Sequence, residues 1–135
     1  MTAAPSGRAG TVAEPGPAGT VVNQFIAALE RQDVDAALAL VADDIIYDNV
    51  PMGAVTGADG VRAALGPFIS GAEGVEWLVF RQAEWSGLVM NERLDRFKIA
   101  DKWVEIPVAG LFEVENGKIT LWRDYFDLAT FTNQL

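Results

Sequence analysis

The chain has 135 residues, of which 19 are acidic, 10 basic and half hydrophobic, giving a net charge of −9. This suits one domain with a single core, and the acidic balance makes double-stranded nucleic acid and anionic membrane poor partners, since both need a basic surface. There is no cysteine and no histidine. Disulfides, thiolate nucleophiles, Cys/His zinc sites and Ser-His-Asp triads are thereby excluded, so acid–base chemistry would fall to Asp, Glu, Tyr or Lys.

Residues 1–19 read as a disordered leader, with Pro5, Pro15 and Pro17 set among Gly7, Gly10, Gly16 and Gly19. They hold no apolar h-region, so they are not a secretory signal, and the expected location is the cytoplasm. Residues 20–135 are expected to form the single domain. Thr20 is placed to cap a first helix running to about Gln32, with Val21, Val22, Phe25, Ile26 and Leu29 as its buried stripe. Asp33 is the expected N-cap of a second helix that turns Val34, Leu38 and Val41 inward. A short strand follows at Ile45 to Asn49, then a loop marked by Pro51, Gly53 and Gly57. Asp59 is placed to cap a third helix over Val61, Leu65 and Phe68, with Gly66-Pro67 disturbing its end.

From Val75 the pattern changes. Segments 75–85, 87–97, 102–114 and 118–127 are rich in β-branched and aromatic residues, and Asn116-Gly117 is a strong two-residue hairpin signal. Helices first and an antiparallel sheet after them predict an α+β fold, a curved sheet wrapped over helices.

Three strands each offer a polar pair at i, i+2, hence on one face. Tyr47 and Asn49 form the first, Arg93 and Asp95 the second. In the third strand, Asp124 lies between Trp122 and Phe126 on the same face. A two-residue turn at 116–117 would pair Leu111 with Trp122 and Ala109 with Asp124, adding Leu111, Ala109 and Pro107 to that apolar patch. A carboxylate there needs a partner, and a guanidinium between two carboxylates supplies one. Each pair alone is ordinary strand or turn chemistry. A curled sheet that brings the three to one cavity is more telling.

The segments Asn91-Glu92-Arg93-Leu94-Asp95 and Asn116-Gly117 through Trp122-Arg123-Asp124-Tyr125-Phe126-Asp127-Leu128, with Tyr47-x-Asn49-x-Pro51, resemble the limonene-1,2-epoxide hydrolases over roughly residues 20–130. The resemblance implies the cone-shaped α+β barrel shared with nuclear transport factor 2 and ketosteroid isomerase, a curved antiparallel or mixed sheet wrapped over about three N-terminal helices. That fold also serves non-enzymes, so fold alone does not decide function. The resemblance further implies Asp95, Arg93, Asp124, Tyr47 and Asn49 as catalytic residues, Trp122 as a pocket residue, and a homodimer. Phe126 and Leu111 are expected to join Trp122 in contacting substrate. The implied reaction is addition of water to a hydrophobic epoxide, giving a vicinal diol, with no metal and no other cofactor. Asp124 would be the base, Asp95 the neutral acid, and Arg93 the bridge, while Tyr47 and Asn49 hold the water. Two alternatives are a ketosteroid-isomerase-like or polyketide-cyclase-like enzyme and a non-catalytic small-molecule-binding or dimerisation module. In the second, the Asp–Arg–Asp set would be a structural ion network.

Overall fold

A computed structural model describes residues 14–135; of the expected leader, residues 1–13 lie outside that range. The first helix, α1, spans Pro17–Glu30, so it begins before Thr20 and takes in the last three residues assigned above to the leader. Proline punctuates loops, but at the first helical position its missing N–H lacks no partner and its fixed φ suits the helix. The Glu84 carboxylate accepts the free N–H groups of Gly16 at 2.7 Å and Gly19 at 3.1 Å, tying this end down. The expected stripe forms, with Val22, Phe25 and Leu29 fully buried.

Asp33 caps α2 (Val34–Leu38), accepting from the Ala36 N–H at 3.0 Å. Val41 does not continue that helix. It begins β1 (Val41–Asn49), which is longer than the strand expected from 45 to 49. The loop read after Pro51 contains a short strand, β2 (Gly53–Thr56). The third helix, α3 (Gly57–Gly71), has Thr56 rather than Asp59 at its N-cap position, with no side-chain cap bond, and runs through Pro67. Ile69 is fully buried and holds the last turn on the core. Gln32 Nε2 donates to the carbonyls of Ile69 at 2.8 Å and Ala72 at 2.7 Å, satisfying acceptors that a helix end leaves open.

The remaining elements are β3 (Gly74–Trp85), β4 (Leu88–Ile99), β5 (Lys102–Glu115), β6 (Lys118–Tyr125) and a short terminal helix, α4 (Leu128–Thr132). Asp127 caps α4, accepting from the Thr130 N–H at 2.9 Å, so the strand expected to reach 127 stops at Tyr125. The sheet is curved and six-stranded, in the order β2-β1-β6-β5-β4-β3. The sheet is mixed, within the antiparallel or mixed sheet expected: β1 runs parallel to β6 and the other joins are antiparallel. That join carries Tyr47 beside Trp122 and Asn49 beside Asp124. Helices α1 and α3 close the inner face, and the aromatic core of Phe25, Trp77, Phe112 and Trp122 lies between.

Three tight turns join β3 to β6. Asn116-Gly117 has φ of 52° and 76°, the left-handed pair that this turn type requires. The β4–β5 turn makes the same demand of Ala100 (φ 52°) and Asp101 (φ 62°). A left-handed alanine costs about 1–2 kcal/mol. The pair Ala100→Asn and Asp101→Gly is therefore expected to stabilise the fold by about 1 kcal/mol, read as a higher denaturant midpoint at constant m.

Candidate active site

The alternation of β4 places Val89, Asn91, Arg93, Asp95 and Phe97 on the inner face, all buried. On β6, Trp122 and Asp124 share that face, and Phe126 follows just past the strand end. The register across from β6 differs from the one expected. Val114 pairs with Ile119 but Glu113 with Leu121, so Thr120 is an extra residue in a β-bulge, and its Oγ1 donates to the Glu113 carbonyl at 3.3 Å. Beyond the bulge Phe112, not Leu111, faces Trp122, and Gly110, not Ala109, faces Asp124. The one-residue slip moves a whole face. Val108 and Phe112 are buried inside, while Pro107, Ala109 and Leu111 fall on the outer face. Leu111 is thus removed from the expected substrate contacts.

The corrected register builds one row across five strands: Gln82, Asn91, Gly110, Asp124 and Asn49. Arg93, one step along β4, leans its guanidinium over Gly110. A β-carbon on Gly110 would collide with Arg93 Nη1, lie 2.8 Å from Asn91 Oδ1, and lie 3.0 Å from Asp124 Oδ1. Glycine is required here by close approach, not by backbone angle.

In that space the guanidinium spans both carboxyl groups. Its Nε donates to Asp95 Oδ1 at 2.9 Å and its Nη2 to Asp95 Oδ2 at 2.9 Å. Nη2 also donates to Asp124 Oδ2 at 2.8 Å, and Nη1 donates to Asn91 Oδ1 at 2.9 Å. Trp122 Nε1 completes Asp124 by donating to Oδ1 at 2.9 Å. The Trp77 ring lies 4.9 Å from the guanidinium carbon, a cation–π contact. Trp122 itself is fully buried. It stacks on Tyr47 with ring centroids 3.9 Å apart, behind the cavity wall rather than in it.

Burial raises the Asp95 carboxyl, the Arg93 charge opposes this, and Asp124 and Glu30 add to the rise, leaving it pushed up to about 6. Burial likewise holds the Tyr47 phenol well above its ordinary range, aided by the Asp124 charge, so it stays protonated. Burial alone would lower Arg93, but the Asp124 and Asp95 carboxylates outweigh it and its pKa is raised.

The two carboxyl groups line a cavity of about 260 Å³, and Arg93 bonds to them from outside its lining. Tyr47, Asn49, Asp95 and Asp124 form its polar wall. Leu65, Phe68, Phe97, Ile106, Val108, Phe126 and Phe131 line much of the rest. Of the three expected substrate contacts, only Phe126 lines this space. Sequence reading missed Trp77, which sits across from Asp95 in the β3–β4 register, and Phe131 on the unexpected α4. It also missed Gly110, although an isolated glycine inside a strand pattern is a signal of close approach.

Residues 17–135 match the limonene-1,2-epoxide hydrolase catalytic domain. The chain is 37% identical over 107 residues to epoxide hydrolase EphG of Mycobacterium tuberculosis, covering 79% of this chain and 71% of that one. A solved M. tuberculosis epoxide hydrolase of the same type superposes with a TM-score of 0.78 at 34% identity, covering 88% of this chain and 89% of the other. TerC, co-crystallised with polyporic acid, has a TM-score of 0.76 at 15% identity, covering 87% of this chain and 97% of the other, and shares the fold alone. The chain belongs to the limonene-1,2-epoxide hydrolase family and is an epoxide hydrolase.

Proposed function

We propose that the protein opens a hydrophobic epoxide in one step, with Asp124 as base and Asp95 as acid. The observation that carries this reading is the single guanidinium bonded to both carboxyl groups at the end of an apolar cavity. Water held by Tyr47, Asn49 and Asp124 gives a proton to Asp124 as its oxygen bonds to a ring carbon. The ring C–O bond breaks, and the Asp95 proton goes to the departing oxygen, leaving a vicinal diol. The pair carries one negative charge before and after, moved from Asp124 to Asp95, so Arg93 faces a carboxylate throughout. A proton must then return to Asp95. Positioning in a water-poor pocket and paired acid–base help supply the acceleration.

The test is a panel of cyclic and linear epoxides, with diol formation scored, run before and after dialysis against EDTA. Turnover of apolar epoxides and no loss on dialysis are expected. A loss restored by a metal ion contradicts the mechanism. Because Asp95 must be protonated to act, kcat/KM should fall as pH rises through the value near 6 to which burial pushes it, by about tenfold per unit beyond. Arg93, Asp124 and Glu30 all act on the Asp95 carboxyl. A flat profile from pH 5 to 8 contradicts Asp95 as the acid.

We also propose a homodimer formed through the outer sheet face, where Leu78, Met90 and Tyr125 are 40%, 52% and 48% exposed. Sedimentation at micromolar concentration should show twice the chain mass. No helix among the described residues is long and apolar enough to cross a membrane. Residence in the cytoplasm as a single domain, extended to Pro17 by the start of α1, completes the proposal.

A further inference from the structure

Arg93 meets carboxylates through Nε and Nη2, but Nη1 meets a neutral amide, Asn91 Oδ1, at 2.9 Å. Asn91 is 5% exposed. Its Nδ2 donates to Gln82 Oε1 at 3.1 Å, and Gln82 Nε2 donates to Asn23 Oδ1 at 3.0 Å on the exposed side of α1. Three amides thus run from the surface to the guanidinium, and they have only one possible sense. An arginine N–H can only donate, so Asn91 must present its oxygen. Its NH₂ then faces Gln82, which must present oxygen in turn, and so on to Asn23. Hydrogen bonds aligned in this way polarise one another.

Gly110 leaves the guanidinium lateral room that a side chain would fill. Asp95 and Asp124 pull on one edge of it. Asn91 is the hydrogen-bond partner on the other side. We infer that Asn91, backed by Gln82 and Asn23, is a positioning residue that holds the Arg93 guanidinium over Gly110, where Nη2 reaches both carboxyl groups. It touches neither water nor epoxide and acts through Arg93. The inference rests on Arg93 as the catalytic bridge.

A purely structural Asn91 would affect stability alone, whereas a positioning one affects the chemical step. Asn91→Thr and Asn91→Val have nearly equal shape, but only threonine keeps an oxygen for Nη1. In the wild-type background, Asn91→Val should lower kcat by about 10- to 100-fold, the worth of a hydrogen bond to a charged group, with KM nearly unchanged. It should also move the alkaline limb of kcat/KM upward, because a guanidinium free to swing off Asp95 no longer favours its charged form. Asn91→Thr should restore most of kcat and the wild-type limb. Gln82→Leu, one link back on a partly exposed residue, should lower kcat by about two- to tenfold. A folded Asn91→Val with wild-type kcat and pH limb overturns the inference. If that variant does not fold, Gln82→Leu decides, and wild-type kcat there overturns it. Should the wild-type protein turn over no epoxide at all, the catalytic reading fails first. Active wild type with unaffected variants removes only the role of the amides.

Discussion

Asp124→Asn is expected to lower epoxide turnover by about 10² or more while preserving side-chain shape. The amide can still accept from Trp122 Nε1, which donates to Asp124 Oδ1 at 2.9 Å, but it cannot take a proton from water. Asp95→Asn should be impaired as severely, since an amide can donate a hydrogen bond to the epoxide oxygen without transferring a proton. The two act as one unit, so the double variant should be little worse than either single one. Arg93→Lys keeps the charge but cannot reproduce donors to two carboxyl groups from one planar fork, and it too should be poor. Each variant disturbs a charge set whose side chains are 0% to 6% exposed, and removing one partner of such a set can cost about 3–5 kcal/mol. Thermal melts must therefore accompany the kinetics. Folded variants with wild-type turnover would remove these residues from the reaction.

The second large effect belongs to a residue with no side chain. Gly110→Ala places a methyl group against Arg93 Nη1, Asn91 and Asp124. An arginine tip usually yields cheaply, but this one is fully buried and hydrogen-bonded to three side chains. Moving it breaks those bonds, and keeping it strains the sheet. A loss of about 1–3 kcal/mol in stability is expected from overpacking. A displacement on the order of 1 Å in the bridge should cut turnover by about 10² or more. Wild-type activity in a folded Gly110→Ala would show that the guanidinium need not sit where it does.

How far the site could be read from sequence differs residue by residue. Arg93 and Asp95, Tyr47 and Asn49, and Asp124 with Phe126 each follow from two-residue alternation within one strand, which survives any error of pairing. All end on the inner face. Asn116-Gly117 fixed the hairpin itself, with Glu115 opposite Lys118 as expected. The partner face of β5 was misread because a bulge at Thr120 leaves no composition signal, yet it exchanges Leu111 for Phe112 and Ala109 for Gly110. The parallel join of β1 to β6 is a long-range pairing that no local pattern announces. The short β2 and α4 were hidden by loop chemistry and by the apolar stretch that follows Asp124. Trp122 was expected to touch substrate because it shares a face with Asp124. Stacking of Tyr47 over it turns it into the wall behind the site.

One-step hydrolysis is tested most directly by a single turnover in ¹⁸O-labelled water, with protein in excess over an epoxide that the panel shows to be a substrate. Mass spectrometry of the diol and of the peptides holding Asp95 and Asp124 gives the result. One labelled oxygen in the diol and none in either aspartate is expected, because water attacks the ring carbon directly. An unlabelled diol with label in Asp95 or Asp124 would mean a covalent ester, and would contradict the mechanism proposed for this site.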